Sequence, residues 1–292
     1  MENEIRKATM SLPSEWWQHR SVAEELAHWF VRHVLGLALS FRYQGNTRRA
    51  VFTGFLVDLR GRLLWMTAGH IIEQLNRVLS SSDYSVLDMR WLDRWRIPGA
   101  ESLPAHRRNL RMYSGQAFGA DFGMVIVSGL DEAHLRSGRE VAIVGEQAWR
   151  NLHLAKPEGF YVIGFPWEMI NIEEETLSNG RTRVALDAQT ICLPVRRLEH
   201  PGTQCTGDFW DDPEALYGQI LPFVEGMDGQ PNDIEGMSGG PVFSLERDAS
   251  GSIRYRLFGV QAFWEKNKRL IRAEPIQRVV ERAEQWVGGA DR

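Results

Sequence analysis

Apolar residues along much of this chain alternate with polar ones, in short runs separated by turn residues. From Leu35 onward the runs "GLALSFRY", "AVFTGFLVDL" and "RLLWMTAG" follow one another, joined by "QGNTRR" and "RG". A period of two residues buries one face of an extended chain, so the pattern predicts a meander of antiparallel strands. Similar runs return at "FGMVIVS", "GFYVIGFP", "TRVALDAQTICLPV", "GPVFSL" and "YRLFGVQAFW". Their spacing fits an all-β barrel or sandwich rather than the alternation of strand and helix that a parallel sheet requires.

The two ends follow a different period. Residues 14–34 set Trp17, Val22, Leu26, Trp29, Phe30 and Val34 at helical steps behind Ser14, a candidate N-cap. His28 and His33 on this segment do not share a face, which makes them packing or surface residues rather than ligands. Near the other end Pro275 suits a first helical turn, and Ile276, Val279, Val280, Ala283 and Val287 form one apolar face that docks on the strands. Two insert-like segments, 74–118 and 131–155, read as loops packed onto the strands. Their arginines and tryptophans leave a contact surface as the alternative.

Composition narrows the function classes. The chain has 292 residues, 43% of them hydrophobic, enough to bury a sizeable core, and a formal net charge of -4. No clustered basic excess marks a nucleic-acid partner, and the stretch Arg107 to Arg111 reads as a solvated loop. No apolar run reaches bilayer length and no secretory leader is legible, so a cytoplasmic protein without a membrane partner is expected. Two cysteines, Cys192 and Cys205, cannot build a disulfide framework. With His200 between them they match no metal-site spacing, so neither a metal nor any other cofactor is expected.

Candidate chemistry gathers in three places. In "GMSGGPVF" Ser238 stands among Gly236, Gly239 and Gly240, a setting that lets the chain bend sharply and uncover its amides. An alkyl hydroxyl needs a base to become a nucleophile at neutral pH, and histidine has the matching pKa. Of eight histidines, His70 in "LLWMTAGHII" is the one that ends a β-rich run behind small residues. A carboxylate is then needed to orient the ring, and Asp121 in "GADFGMVIV" stands at the mouth of an apolar strand. Taken alone, Asp121 reads rather as a strand-start turn residue.

Together these stretches resemble the trypsin/chymotrypsin-like serine peptidases, over most of the chain from about Leu35 to Trp286. The resemblance rests on "TAGH", on an aspartate opening an apolar strand and on "GMSGGP", in that order. It implies two packed antiparallel six-stranded β-barrels, to which the periodic segments at the two ends add a helix each. The division would be a 1–34 helical extension, a 35–130 barrel with His70 and Asp121, a 131–155 connector, a 156–273 barrel with Ser238 and a 274–292 helix. It further implies Ser238 as nucleophile, His70 as base, Asp121 as its orienting acid, and the amides of Gly236 and Ser238 as the oxyanion hole. Asn232, Asp233, Ala262 and Phe263 would line the substrate pocket, where the acid attracts a basic side chain unless "DGQPND" is merely a solvated loop.

Two departures from the family matter. Met237 stands where secreted relatives carry an aspartate that pairs with a freed N-terminus, so activation by N-terminal trimming is not expected. Ala262 stands where a serine or threonine often supports the catalytic aspartate, so Asp121 should lack one donor. The expected activity is peptide hydrolysis on a protein or peptide substrate, with the N-terminal helix or the tryptophan-rich insert gating the cleft, by blocking it or by recruiting a regulatory protein partner. A catalytically silent module that binds peptides, or hydrolysis of small esters, are the alternatives.

Overall fold

Two tight turns set the register of the first half. Gln44 and Gly45 both take positive φ (49° and 80°), as do Arg60 and Gly61 (53° and 80°). Each pair closes a two-residue hairpin, β1 (Gly36–Tyr43) with β2 (Asn46–Phe52) and β3 (Phe55–Leu59) with β4 (Arg62–Thr67). Left-handed backbone at both central residues matches the twist of the flanking strands, so the "QGNTRR" and "RG" connections become hairpin turns as expected.

A computed structural model describes residues 16–92, 103–116, 119–137, 141–176, 182–199, 210, 212–223, 226, 230–247 and 252–290. After β4 come α2 (Gly69–Ser80), β5 (Tyr84–Leu92), β6 (Leu103–Pro104), β7 (Leu110–Ser114), β8 (Gly123–Val127) and α3 (Gly129–Ser137). The second half holds β9 (Gly159–Gly164), β10 (Ile170–Thr176), β11 (Thr182–Ala188), β12 (Ile191–Leu198), β13 (Leu216–Ile220), β14 (Pro241–Arg247), β15 (Ile253–Glu265) and β16 (Leu270–Pro275). Two helices complete the element order, α1 (Arg20–Phe30) before β1 and α4 (Ile276–Ala290) after β16.

The second half is a closed antiparallel barrel in the order β12-β13-β16-β15-β14-β9, with β10 and β11 as a separate hairpin. The first half departs from the expected six-stranded barrel: it is two four-stranded sheets, β2-β1-β5-β6 and β3-β4-β8-β7. The Leu35 amide donates to Gly54 O at 2.8 Å, extending the β1–β2 register beyond Phe52, and the Thr67 hydroxyl donates to Thr53 O at 2.7 Å. Within the 74–118 segment, β5 pairs with β1 and buries Met89 and Trp91, so it is sheet rather than packed loop.

The two faces of β3 and β4 belong to different cores. Leu56, Leu63 and Trp65 face a cluster with Leu37, Leu39, Trp91, Ile72 and Val125. Phe55, Val57, Leu64 and Met66 join Phe122 and Met124 to Tyr161, Ile163, Phe243 and Val260 of the barrel. With both faces covered, "FLVDL" and "RLLWMT" lose the apolar-polar alternation of a half-exposed strand. This hairpin is the shared wall of the protein, and it leads directly to His70.

The first helix is part of that shared core. Phe30 stacks on Phe243 with ring centres 4.7 Å apart and meets Tyr255 edge-on at 5.1 Å. Trp16 and Trp17 lie in a short 3-10 turn before α1, and the Trp16 indole donates to Glu158 at 2.8 Å. The residue capping α1 is His19, without a side-chain cap bond, and Ser14 lies outside the described residues. At the other end Ile276, Val279, Val280 and Ala283 of α4 are buried and Trp286 packs on Tyr113 at 5.2 Å. Among the described residues no helix is long and apolar enough to cross a membrane.

His33, just past α1, is buried with Nε2 2.8 Å from the Tyr255 hydroxyl. Burial pushes its imidazole down from 6.5 to about 4, and neighbouring Arg32 acts in the same direction. The unfolded chain therefore takes up this proton at a higher pH than the folded one. The contribution is fully present above pH 6.5 and is lost as the pH falls towards 4. Urea unfolding should show about 2 kcal/mol less stability at pH 5 than at pH 7 from this group. His33→Gln should flatten that part of the slope, and an unchanged slope would refute the assignment.

Candidate active site

The polypeptide enters the site from β4. Ala68 leaves the strand extended and α2 begins at Gly69, so His70 occupies its first turn, where main-chain amides lack helical partners. Asp121, just before β8, supplies the missing acceptor: its Oδ1 takes the His70 amide at 2.9 Å and its Oδ2 takes the ring Nδ1 at 2.9 Å. A Cβ on Gly69 would stand 2.9 Å from Asp121 Oδ1, so the approach requires glycine. The His70 side chain is 43% exposed while that of Asp121 is 4% exposed.

Burial alone would raise the Asp121 carboxyl. The hydrogen bonds and charge of His70, with a 3.1 Å bond from Gln116 Nε2, outweigh it and hold the group below the ordinary carboxylate value. An ionised carboxylate only accepts, so Nδ1 carries the hydrogen and the neutral ring keeps its lone pair at Nε2. Gln116 also answers the missing donor at Ala262, which is fully buried. Behind the pair, the Asp121 amide donates to Glu274 Oε1 at 3.0 Å. Burial pushes Glu274 upward, against the pull of Arg272 at 2.9 Å.

Ser238 comes from the barrel, on the loop into β14. Gly236 and Gly239 take φ of 96° and 91°. Met237 donates to Ile234 O at 3.0 Å, Gly239 to Gln261 O at 2.7 Å and Gly240 to Met237 O at 2.9 Å. Among the described residues the amides of Gly236 and Ser238 donate to no backbone carbonyl. The Trp167 amide binds Glu235 O at 2.7 Å, and a trans peptide sets its N–H opposite its C=O, so the Gly236 N–H faces away from Trp167 N.

Two threonines join this loop to the first half. Thr67, the last residue of β4, donates to Thr53 O at 2.7 Å, and Thr53 donates to Gly236 O at 2.6 Å. A Cβ on Gly239 would lie 2.1 Å from Thr67 Oγ1 and 2.4 Å from Thr53 O. The Ser238 loop thus rests against the strand end that leads into His70. The His70 ring binds Asp121 and, among the described residues, makes no hydrogen bond to Ser238.

Solved proteases are among the chains similar to this one. Protease Anisep from Arthrobacter nicotinovorans is 15% identical with a TM-score of 0.43, over 84% of this chain and 90% of that one. The Rv3671c protease from M. tuberculosis in its active form is 13% identical with a TM-score of 0.42, over 96% and 91%. The thermostable serine protease AL20 from an extremophilic microorganism is 12% identical with a TM-score of 0.43, over 87% and 98%. No protein-family model and no curated protein matches the sequence.

The expected pocket residues divide. The Asn232 amide binds Glu168 Oε2 at 3.0 Å. Asp233 accepts from the Glu235 amide and the Trp264 indole at 2.9 and 3.0 Å, and pairs with Lys266 at 2.8 Å. Ala262 sits at a register shift of β15 beside Gln261, the partner of Gly239 and Gly240. Phe263 packs instead with Trp210, edge-on at 5.6 Å. Cys192 is a free, buried thiol that burial pushes well up, while His200 and Cys205 lie outside the described residues. Among the described residues no group of three His, Cys, Asp or Glu side chains is placed to hold a metal.

Gly239→Ala should cost on the order of 2–4 kcal/mol in denaturant unfolding, combining strained φ with the clash against Thr67. Gly45→Ala is the control, because Gly45 has φ of 80° with nothing within 4 Å of its Cβ position. It should cost only about 1–2 kcal/mol. Equal losses in the two variants would mean that the close approach to Thr67 is absent.

Proposed function

We propose that this chain is a serine endopeptidase acting through an acyl-enzyme on Ser238. The observation that carries the reading is the packing of the glycine-bounded Ser238 loop on the strand end that leads into His70, whose ring Asp121 grips twice. The grip fixes the ring's tautomer and leaves Nε2 as the base beside that loop. In the proposed reaction Ser238 Oγ attacks the substrate carbonyl while its proton passes to His70 Nε2. The imidazolium, stabilised by Asp121, then returns that proton to the leaving amine as the peptide bond breaks. Water repeats the sequence against the acyl-enzyme, restoring Ser238 and releasing the acid product.

The negative oxygen formed in each half-reaction would sit against the amides of Gly236 and Ser238. One such donor is worth on the order of 3 kcal/mol of transition-state stabilisation. Thr53 and the Trp167 amide act on this hole indirectly, by holding the carbonyls of Gly236 and Glu235. A second reading, a catalytically silent peptide-binding module, is favoured by the missing hydrogen bond between His70 and Ser238. Unliganded catalytic sites often keep that bond long, and it tightens when substrate excludes water.

A fluorophosphonate probe separates the two. The full chain should be modified once, at Ser238, by intact mass and peptide mapping, and Ser238→Ala should abolish the label. His70→Ala and Asp121→Asn should each slow labelling by on the order of a thousandfold or more. Absence of labelling, or a rate indifferent to His70, would favour the binding module.

A further inference from the structure

Resting on the peptidase reading of Ser238, we propose that Lys266 acts as an internal stand-in for a basic substrate side chain. It occupies Asp233 and thereby selects for uncharged residues at the subsite beside Ser238. Two stretches flank the serine. One is the loop 232–236 that leads into it. The other is the end of β15, whose Gln261 exchanges backbone hydrogen bonds with Gly239 and Gly240 at 2.7 and 2.8 Å. Asp233 ties these two walls together, since it accepts from the Trp264 indole at 3.0 Å and pairs with Lys266 Nζ at 2.8 Å.

The Asp233 carboxylate therefore already holds three donors, one of them a cation. Oδ1 holds the Glu235 amide and the Trp264 indole, and Oδ2 holds the ammonium. An incoming arginine or lysine would have to displace Lys266, exchanging one ion pair for another and gaining little. Glu168 and Glu235 also lie within electrostatic range of Lys266, so this lysine is the cation that offsets three neighbouring carboxylates. Its side chain is 56% exposed, so removal opens Asp233 Oδ2 to solutes without emptying a core position. The Trp264 indole stays bonded to Asp233 Oδ1 in that variant.

Lys266→Ala supplies the test, with Lys266→Arg as the conservative control. Calorimetric titration with benzamidine, a flat amidinium, reads the subsite whether or not Ser238 reacts. Lys266→Ala should bind it at least about tenfold more tightly than the unaltered chain, and Lys266→Arg should not. Adding Asp233→Asn should remove the gain, since asparagine can still accept from Glu235 and Trp264. In chains that hydrolyse peptides, kcat/KM for arginine over alanine before the cleaved bond should rise by a similar factor. Equal benzamidine affinity in Lys266→Ala and the unaltered chain, or a gain that survives Asp233→Asn, would overturn the proposal. Failure of Ser238 to label would instead count against the peptidase reading and leave the calorimetric result standing.

Discussion

The close approach of Gly239 to Thr67 is the constraint on which the rest of the arrangement depends. The candidate catalytic groups are divided between two halves of the chain, and only contact between those halves can register them. A backbone without a side chain lets the Ser238 loop come nearer to β4 than any other residue would allow. The hydroxyls of Thr67 and Thr53 then fix the separation, because a buried hydrogen bond is directional and costly to leave unmade. Apolar packing along the shared face of β3 and β4 supplies the attraction, and the threonines supply the alignment.

Electrostatics set the second condition. A carboxylate as buried as Asp121 stays ionised only when donors replace its lost water, and here the His70 amide, the His70 ring and Gln116 do so. A second pair in the molecule uses the same geometry. Asp131 takes both the amide and Nδ1 of His106, at 2.9 and 2.7 Å, with further bonds from Asn109 and Trp91. There the carboxylate lies in the first turn of α3 and braces residues 106–109. A gripped imidazole is thus a structural device in its own right, and what distinguishes His70 is the glycine-bounded serine loop packed against its strand.

Much of this was legible in the sequence where local rules act alone. The run "GLALSFRY" coincides with β1, and both connections read as turns became hairpins with left-handed central residues. The partition of the first half into two sheets was not legible, because alternation tells which face is buried but not which strands pair. Helix α2 was missed for a related reason. Its N-cap position is Ala68, which offers no side-chain acceptor, and the acceptor comes from Asp121 across the fold. Thr53, Thr67, Gln116 and Glu274 escaped notice alike, since each acts through a partner distant in sequence. The one local clue was a threonine in each of the apolar runs "TGFLV" and "WMTAG".

The position of α1 has a consequence for how the molecule is made. Phe30 finds its stacking partner in Phe243, and His33 bonds Tyr255 across 222 positions of sequence. During synthesis α1 must wait for strands that leave the ribosome about two hundred residues later, holding its apolar face open meanwhile. The cluster of Leu37, Trp65 and Trp91 draws only on residues 35–141 and can form early, whereas the core shared with the barrel waits for the last third. The contact of the Ser238 loop with the strand end before His70 is then completed only after both halves of the chain exist.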